Sequence, residues 1–360
     1  MSIRVVHIEL GRQLYGGAKQ VTYLINSLNH FGDMENHLIC PKDSEIALSK
    51  LPHCHMHPIR YRGETDIYAI KRVSDVLKKV KPDIIHIHSR RGADTLGAIL
   101  AYITGIPAVC TRRVDNKESR LSQLKYQHYT AVVSISKGVF DVVSRHCSKV
   151  KHQSIIHSAV DLNEFKQTAD RNWLCNQFSI PHHHHIIANF AQLIPRKGQA
   201  DIILAMKEVQ KNNPNVTCLL FGKGKLQVQY QELINKHHLQ NTVKLCGFTQ
   251  QVSRILPSVD IVLHPAYAEG LGVILLQAGA CKRAVISTHV GGIPEIVTHN
   301  KTGIMVEPGN ISEITNAINK LIENDELRIR LGEQLYKHVA GSFSPKEMAR
   351  RYYELYQQII

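Results

Sequence analysis

The stretch Ala266-Tyr-Ala-Glu269-Gly270-Leu271-Gly272-Val273-Ile-Leu-Leu-Gln277-Ala-Gly-Ala280 sets one carboxylate and two glycines directly before an apolar helical run, with an amide further along that run. The first N–H groups of a helix opening at Val273 have no intrahelical partner, and such a terminus favours an anion. Glycine at 270 and 272 lets a bulky group approach the backbone, as at phosphate-binding loops. Glu269 is a poor phosphate ligand but a good acceptor for sugar hydroxyls. The Gln277 amide offers both a donor and an acceptor to a diol. A diphosphate with a polyol on each side, a nucleotide-sugar, fits this set. Taken alone, the same pattern also describes an ordinary loop-to-helix turn.

A second segment, Gln192-Leu-Ile-Pro-Arg196-Lys197-Gly198, follows a predicted strand and precedes a predicted helix. Lys197 and Arg196 are placed there to supply cations to a diphosphate, although a solvated pair in a turn reads the same way. A third, Gly291-Gly-Ile-Pro-Glu295, also opens a helix after a strand, with proline in the first turn. In isolation it is plain helix initiation.

The elements that must carry these segments alternate. Short β-branched runs at 3–8, 37–40, 55–59, 84–88, 108–111, 131–135 and 154–156 are separated by helical stripes such as Val21, Leu24, Ile25 and Leu28. Beyond residue 185 the runs 186–191, 216–221, 243–246, 261–265, 284–287 and 304–306 alternate with helices predicted near 199–211, 225–237, 272–280 and 310–323. This order predicts an α/β protein with parallel sheets covered on both faces. A polar stretch from Asp161 to Pro181, ending in Pro-His-His-His-His, is the candidate linker, so the expected divisions are 1–165, 166–340 and a terminal helix over 341–360. Ser344-Pro-Lys-Glu347 reads as the capping box of that helix, with Met348, Tyr352, Leu355 and Tyr356 on one side.

At 360 residues the chain is long enough for two cores, and 43% hydrophobic with 21% charged residues is a globular balance. The eight cysteines form no Cys-x-x-Cys pair and read as reduced, mostly buried thiols without a disulfide. No window approaches a membrane span and the N-terminus has no long apolar run, which predicts a cytoplasmic protein. The net charge of +14 is spread over both halves and favours an anionic partner. Lys78-Lys79-Lys81 and Arg112-Arg113-Lys117-Arg120-Lys125 are its clusters, the second interleaved with Leu121, Leu124, Tyr126 and Tyr129; each also reads as a solvated basic face. Nucleic acid is an unfavoured partner, because no aromatic RNA-binding motif or zinc-finger spacing accompanies the charge. The run His182 to His185 reads as solvated linker rather than a metal site. His86 and His88 share one face of a strand, with His88 at its carboxyl end and the better placed to reach a cleft. Tyr15, at the tip of the first loop, has no role beyond surface.

In this order the segments resemble a retaining glycosyltransferase of family 4. The resemblance is carried by Gly16-Gly17, Asp83-Ile-Ile-His86-Ile-His88, Gly105-Ile-Pro107, Val160-Asp161, Lys197-Gly198, Phe221-Gly-Lys-Gly224, Cys246-Gly247-Phe248, Pro265 to Gln277, Gly291 to Glu295 and Phe343 to Tyr356. They span nearly the whole chain. The resemblance implies the GT-B fold: two Rossmann-like domains facing across a cleft, the first binding acceptor, the second nucleotide-sugar, with the terminal helix crossing back to the first. It places Glu269 at the donor sugar hydroxyls and Lys197 at the diphosphate, and makes Gly16, Gly17, His88, Arg113, Gln192, Arg196, Gly247, Phe248, Gly270, Leu271, Gly272, Val273 and Gln277 substrate-binding. Four positions depart from the family pattern. Gln277 stands where the second Glu near the ribose is expected, Gln192 where an Arg is expected, Lys19 where Glu follows the glycine pair, and Arg113 where relatives carry a sugar-contacting His.

The resemblance further implies transfer with retention, in which the departing phosphate oxygen takes the acceptor's proton and no protein nucleophile is needed. No Asp-x-Asp occurs, which predicts an enzyme without metal or cofactor. Family habit favours a UDP-sugar donor. A basic first domain with a Leu/Tyr-bearing segment near 119–129 suits a saccharide or lipid-linked acceptor, such as a lipopolysaccharide core, reached peripherally on the inner face of the cytoplasmic membrane. The other readings are a nucleotide-sugar epimerase of the same fold and a catalytically weak nucleotide-sugar binding protein.

Overall fold

The apolar runs become strands and the amphipathic stretches between them helices, in a computed structural model that describes residues 2–14, 16–49, 51–89, 92–116, 118 and 122–360. Strands β1 (Ile3–Ile8), β2 (Met34–Pro41), β3 (Cys54–Ile59), β4 (Ile84–Ile87), β5 (Ala108–Arg112), β6 (Ala131–Ser134) and β7 (His152–Ile155) form one sheet, ordered β3-β2-β1-β4-β5-β6-β7. Strands β8 (His185–Phe190), β9 (Val216–Phe221), β10 (Val243–Gly247), β11 (Ile261–His264), β12 (Ala284–Thr288) and β13 (Ile304–Val306) form the second, ordered β10-β9-β8-β11-β12-β13. The pairings are parallel. Central strands are buried along their whole length, as Ile84–Ile87 and Ile261–His264 are, because helices cover both faces. The fold is α/β, with two Rossmann-like sheets.

Each sheet reverses its strand order once, between β1 and β4 and between β8 and β11. The loops leaving those strands splay to opposite sides and leave a crevice beyond the strand ends, which is where open α/β sheets take ligands. The chain divides into two compact units, Met1–Ala159 with Pro345–Ile360, and Val160–Ser344. The terminal helix Pro345–Ile359 thus belongs to the first unit, where Met348, Tyr352, Leu355 and Tyr356 pack in one core with Tyr23, Leu24 and Leu28.

Two expectations are corrected, and one helix was not foreseen. The segment 161–181 is no linker: it holds a short turn, Leu162–Phe165, and a helix, Arg171–Phe178. Asp170 caps that helix by accepting from the Trp173 N–H, Leu174 and Cys175 are buried, and Arg171 pairs with Asp260 at 3.1 Å. The histidine run is not wholly solvated linker, since His184 Nδ1 lies 3.0 Å from Thr217 Oγ1 and His185 begins β8. A long helix, Asp325–Ser342, was not expected from the sequence; Leu331, Leu335 and Val339 bury its one narrow apolar stripe. All eight cysteines are free. No helix among the described residues is long and apolar enough to cross a membrane.

Candidate active site

In the second unit the three motif segments converge on Glu269. The Lys197 ammonium lies 2.5 Å from Glu269 Oε2, and His264 Nε2 donates to the same oxygen at 2.8 Å. The other oxygen accepts the Gly270 N–H at 3.0 Å. Burial of Glu269 works against ionisation, but the hydrogen bond and charge of His264, followed by Lys197, outweigh it and hold the carboxyl well below the usual range. The carboxylate is therefore ionised and held by three donors.

Glycine makes this convergence possible. Gly198, at φ +71°, lies against the Pro265 carbonyl, where a Cβ would meet the oxygen at 2.1 Å. The Tyr267 N–H then reaches the Arg196 carbonyl at 2.9 Å, tying the Lys197 loop to the Glu269 loop. Gly291, at φ +54°, presses on the Glu269 carbonyl, where a Cβ would stand 1.7 Å away, and the Gly292 N–H donates to that carbonyl at 3.3 Å. So the Gly291 to Glu295 segment holds the backbone of the carboxylate.

Gly272 caps the helix Val273–Ala280 in the left-handed conformation and brings no capping side chain to it. Gly270 and Leu271 are buried, while Val273, Gln277 and Arg196 are half-buried and Gln192 is exposed. Gln192 contributes its carbonyl, which accepts from Gln199 Nε2 at 3.0 Å. Gly247 ends β10 at φ +69°, and the exposed Phe248 beyond it faces Lys223, whose Nζ stands 5.1 Å from the ring. His264 was missed in the sequence because it reads as a strand residue. Only its place at the carboxyl end of a strand, five residues before Glu269, marked it; its Nδ1 is buried without a partner.

The first unit has its own site at its crevice, a cavity of about 210 Å³ whose lining includes Glu9, Gly11, Gly17, His88, Thr111 and Arg113. Gly16 and Gly17 open the helix Gly16–Leu28, and Gly17 faces Arg113, whose Cδ would be 3.6 Å from an added Cβ. Arg113 reaches Ser158 Oγ only at 3.4 Å, its Nε has no partner, and burial lowers its pKa.

A chain of hydrogen bonds fixes which nitrogen of His88 is protonated. The Pro52 carbonyl can only accept, so Asn29 Nδ2 donates to it at 2.9 Å and turns Oδ1 toward Asn36. Asn36 Nδ2 donates to that oxygen at 2.8 Å, which turns its own Oδ1 to His7 Nε2 at 3.1 Å. His7 thus carries its proton on Nε2 and accepts at Nδ1 from His88 Nε2, 2.9 Å away. His88 is left with a bare, buried Nδ1. Burial pushes His7 down to about 4 and, with His86, His7 and Arg113, holds His88 well below the ordinary imidazole value, so both are neutral at pH 7. His88, which carries this unpartnered nitrogen, is among the residues that line the cavity. His86 belongs to the core instead, with Nδ1 2.6 Å from Tyr356 Oη and Nε2 2.7 Å from Thr111 Oγ1.

The basic clusters do not form one anion-binding face. Lys78, Lys79 and Lys81 are solvated on or just past the helix Tyr68–Val80. Arg112 is buried against Glu118 at 2.6 Å, Lys125 pairs with Asp94 at 2.6 Å, and Tyr126 and Tyr129 are core residues. Of the second cluster, Arg112 and Lys125 are thus neutralised by internal carboxylates and Arg113 lines the cavity of the first unit, so these three residues do not form an exposed basic face. Tyr15, Lys117, Arg120 and Leu121 lie outside the described residues.

Comparison with known proteins places both units. The profile described as Glycosyltransferase Family 4 matches residues 15–164, and that described as Glycosyl transferases group 1 matches 174–338. The N-acetyl-alpha-D-glucosaminyl L-malate synthase of Bacillus anthracis is 20% identical over 99% of this chain and 93% of its own. A GDP-mannose-dependent monoacylated alpha-(1-6)-phosphatidylinositol monomannoside mannosyltransferase of Corynebacterium glutamicum is 31% identical over 46% of this chain and 45% of its own. Among solved structures, a glycosyltransferase of Rickettsia africae superposes with a TM-score of 0.86 at 19% identity, covering 99% of this chain and 98% of that one. Anabaena Alr3699/HepE in complex with UDP and glucose superposes with a TM-score of 0.84 at 19% identity, covering 99% and 100%. With one glycosyltransferase profile on each unit, in chain order, and the fold of these neighbours, the chain belongs to glycosyltransferase family 4 and is a glycosyltransferase of GT-B fold.

Proposed function

We propose that the protein transfers a hexose-type sugar from a nucleotide-sugar, with retention and without a metal ion, to a saccharide or lipid-linked acceptor. The observation that carries this reading is the meeting of Lys197, His264 and Glu269 before the open helix terminus at Gly272. The helix N–H groups and Lys197 receive the diphosphate, while Glu269, fixed by His264, accepts sugar hydroxyls. Without donor, Lys197 and Glu269 neutralise each other; a diphosphate competes for the lysine and leaves the carboxylate to the sugar. Charge that develops on the departing phosphate is stabilised by groups already in place, which is the contribution expected of the protein when no side-chain nucleophile takes part. The Anabaena neighbour's complex with UDP and glucose supports a UDP-sugar as donor.

In the first unit, His88 Nδ1 accepts a hydroxyl proton and Arg113 donates, so one substrate hydroxyl satisfies both. Ile99, Tyr102, Ile103 and Leu124 expose apolar surface on the same unit, and this patch, rather than the basic cluster, supports an acceptor carried by a lipid such as a lipopolysaccharide core. Nothing in the comparisons supports the epimerase reading. The test is turnover of UDP-hexoses with glycan and glycolipid acceptors in excess EDTA. Retained activity with an α-linked product from an α-linked donor is expected; loss restored by Mg²⁺ or Mn²⁺ overturns the metal-free assignment. Vesicle flotation tests the membrane assignment, which fails if the protein stays unbound with neutral and anionic lipid alike.

A further inference from the structure

The edge of the first sheet carries four chelating side chains on one face. Glu35 and His37 alternate along β2, and His55 and His57 along the edge strand β3. Side chains two apart share a face, and the register sets His37 beside His55. Candidate ligand atoms of Glu35, His37 and His55 all lie within 4.8 Å of one another. Glu35 Oε1 stands 2.9 Å from His37 Nε2, and the His37 and His55 rings stack with centroids 4.8 Å apart. His55 is exposed, which gives an ion access from solvent.

We propose that Glu35, His37 and His55 bind one Zn²⁺ ion, or Co²⁺ or Ni²⁺ in its place, with the remaining position open to water. Two imidazoles and a carboxylate form a donor set for these borderline ions and a poor one for Mg²⁺. Ligand atoms about 2.0–2.1 Å from a tetrahedral ion stand roughly 3.3 Å apart, so the Glu35 and His37 pair opens by only a few tenths of an ångström.

The surroundings supply what such a site needs. Arg4 Nε holds Glu35 Oε2 at 2.9 Å and leaves Oε1 to His37. Without metal, His37 donates from Nε2 to Glu35 and accepts at Nδ1 from His57 Nε2, 3.0 Å away. When the ion takes Nε2, the His37 proton moves to Nδ1 and the His57 proton from Nε2 to Nδ1, with no net proton lost. His57 then accepts from His37, the outer partner that fixes a ligating imidazole. The other imidazole cluster, His7, His86 and His88, cannot do the same: it is buried and its nitrogens are engaged, apart from His88 Nδ1.

The site lies toward the amino ends of β2 and β3, whereas Glu9 and His88 follow the carboxyl ends of β1 and β4. Its occupancy is therefore separable from sugar transfer. The experiment is calorimetric titration of the EDTA-stripped full chain with Zn²⁺, with the Co²⁺ visible spectrum and melting temperature as second readouts. Wild type is expected to bind one ion here, His55→Ala and Glu35→Gln to weaken it at least tenfold, and a His182→Ala/His183→Ala variant to leave it unchanged. His55 is exposed, so its variant folds. Unaltered Zn²⁺ affinity in His55→Ala and Glu35→Gln, binding removed only by the His182/His183 change, or no Zn²⁺-dependent shift in wild type overturns the proposal.

Discussion

The Glu269 carboxylate gathers partners from the Lys197 loop, the end of β11 and its own loop, and its consequences are read most directly by removing one group at a time. Lys197→Ala and Glu269→Ala are each expected to lower kcat/KM for sugar transfer by roughly 10²- to 10³-fold, the scale of a lost transition-state charge contact. Steady-state kinetics with a UDP-hexose checks this, and a loss below threefold in both would remove the site from catalysis. A second expectation concerns pH. His7 has a folded pKa near 4 against about 6.5 when unfolded, so the unfolded chain binds the proton first as pH falls. Stability from this residue is complete above pH 6.5 and declines toward pH 4, by about 3 kcal/mol over the whole range. Urea unfolding at pH 7.5 and 5.0 should show it, and equal stability at both would refute it. The sequence displayed Glu269 and Lys197 because glycine and a following apolar run frame them. It hid His264 inside a strand pattern, and it hid the His88 chain because Pro52, Asn29, Asn36, His7 and His88 come from separate stretches of the sequence and meet only in the folded unit.

Loops that touch across strand ends depend on backbone contacts with no room for a side chain. At Gly198 an alanine would need both a left-handed backbone and displacement of the Pro265 carbonyl. Gly198→Ala is expected to cost about 1–3 kcal/mol and to separate Lys197 from Glu269, lowering activity more than the stability loss explains. Melting temperature and kcat/KM measured together separate the effects; unchanged activity would mean that the loop closes by another route. At this scale the sequence was legible wherever periodicity was strong, as in the alternating strands and in the terminal helix with its Tyr352 and Tyr356 stripe. It was not legible for Arg171–Phe178, which buries only Leu174 and Cys175, or for Asp325–Ser342, whose polar residues dilute a thin apolar stripe. Packing against a unit already built stabilises such helices, and that context is absent from a local window.

Each unit carries one candidate site, with a carboxylate and a lysine in one and a neutral histidine and an arginine in the other. Each site sits where its own sheet reverses order, so the plan of the whole follows from repeating one α/β arrangement rather than from a single motif. The Val160 N–H donates to the Phe343 carbonyl at 2.9 Å, so the second unit begins and ends at neighbouring residues. A segment whose two ends touch is topologically an insertion: it can be excised as a continuous piece, or its ends joined and new termini opened elsewhere, without threading the backbone through itself. Residues 160–344 expressed alone should fold cooperatively and gain melting temperature with UDP, whereas a fragment that stays unfolded would show that the first unit supplies part of its core. Evolution or engineering could therefore exchange residues 160–344 between hosts by a single cassette replacement, leaving the first unit to be reunited through the helix Pro345–Ile359.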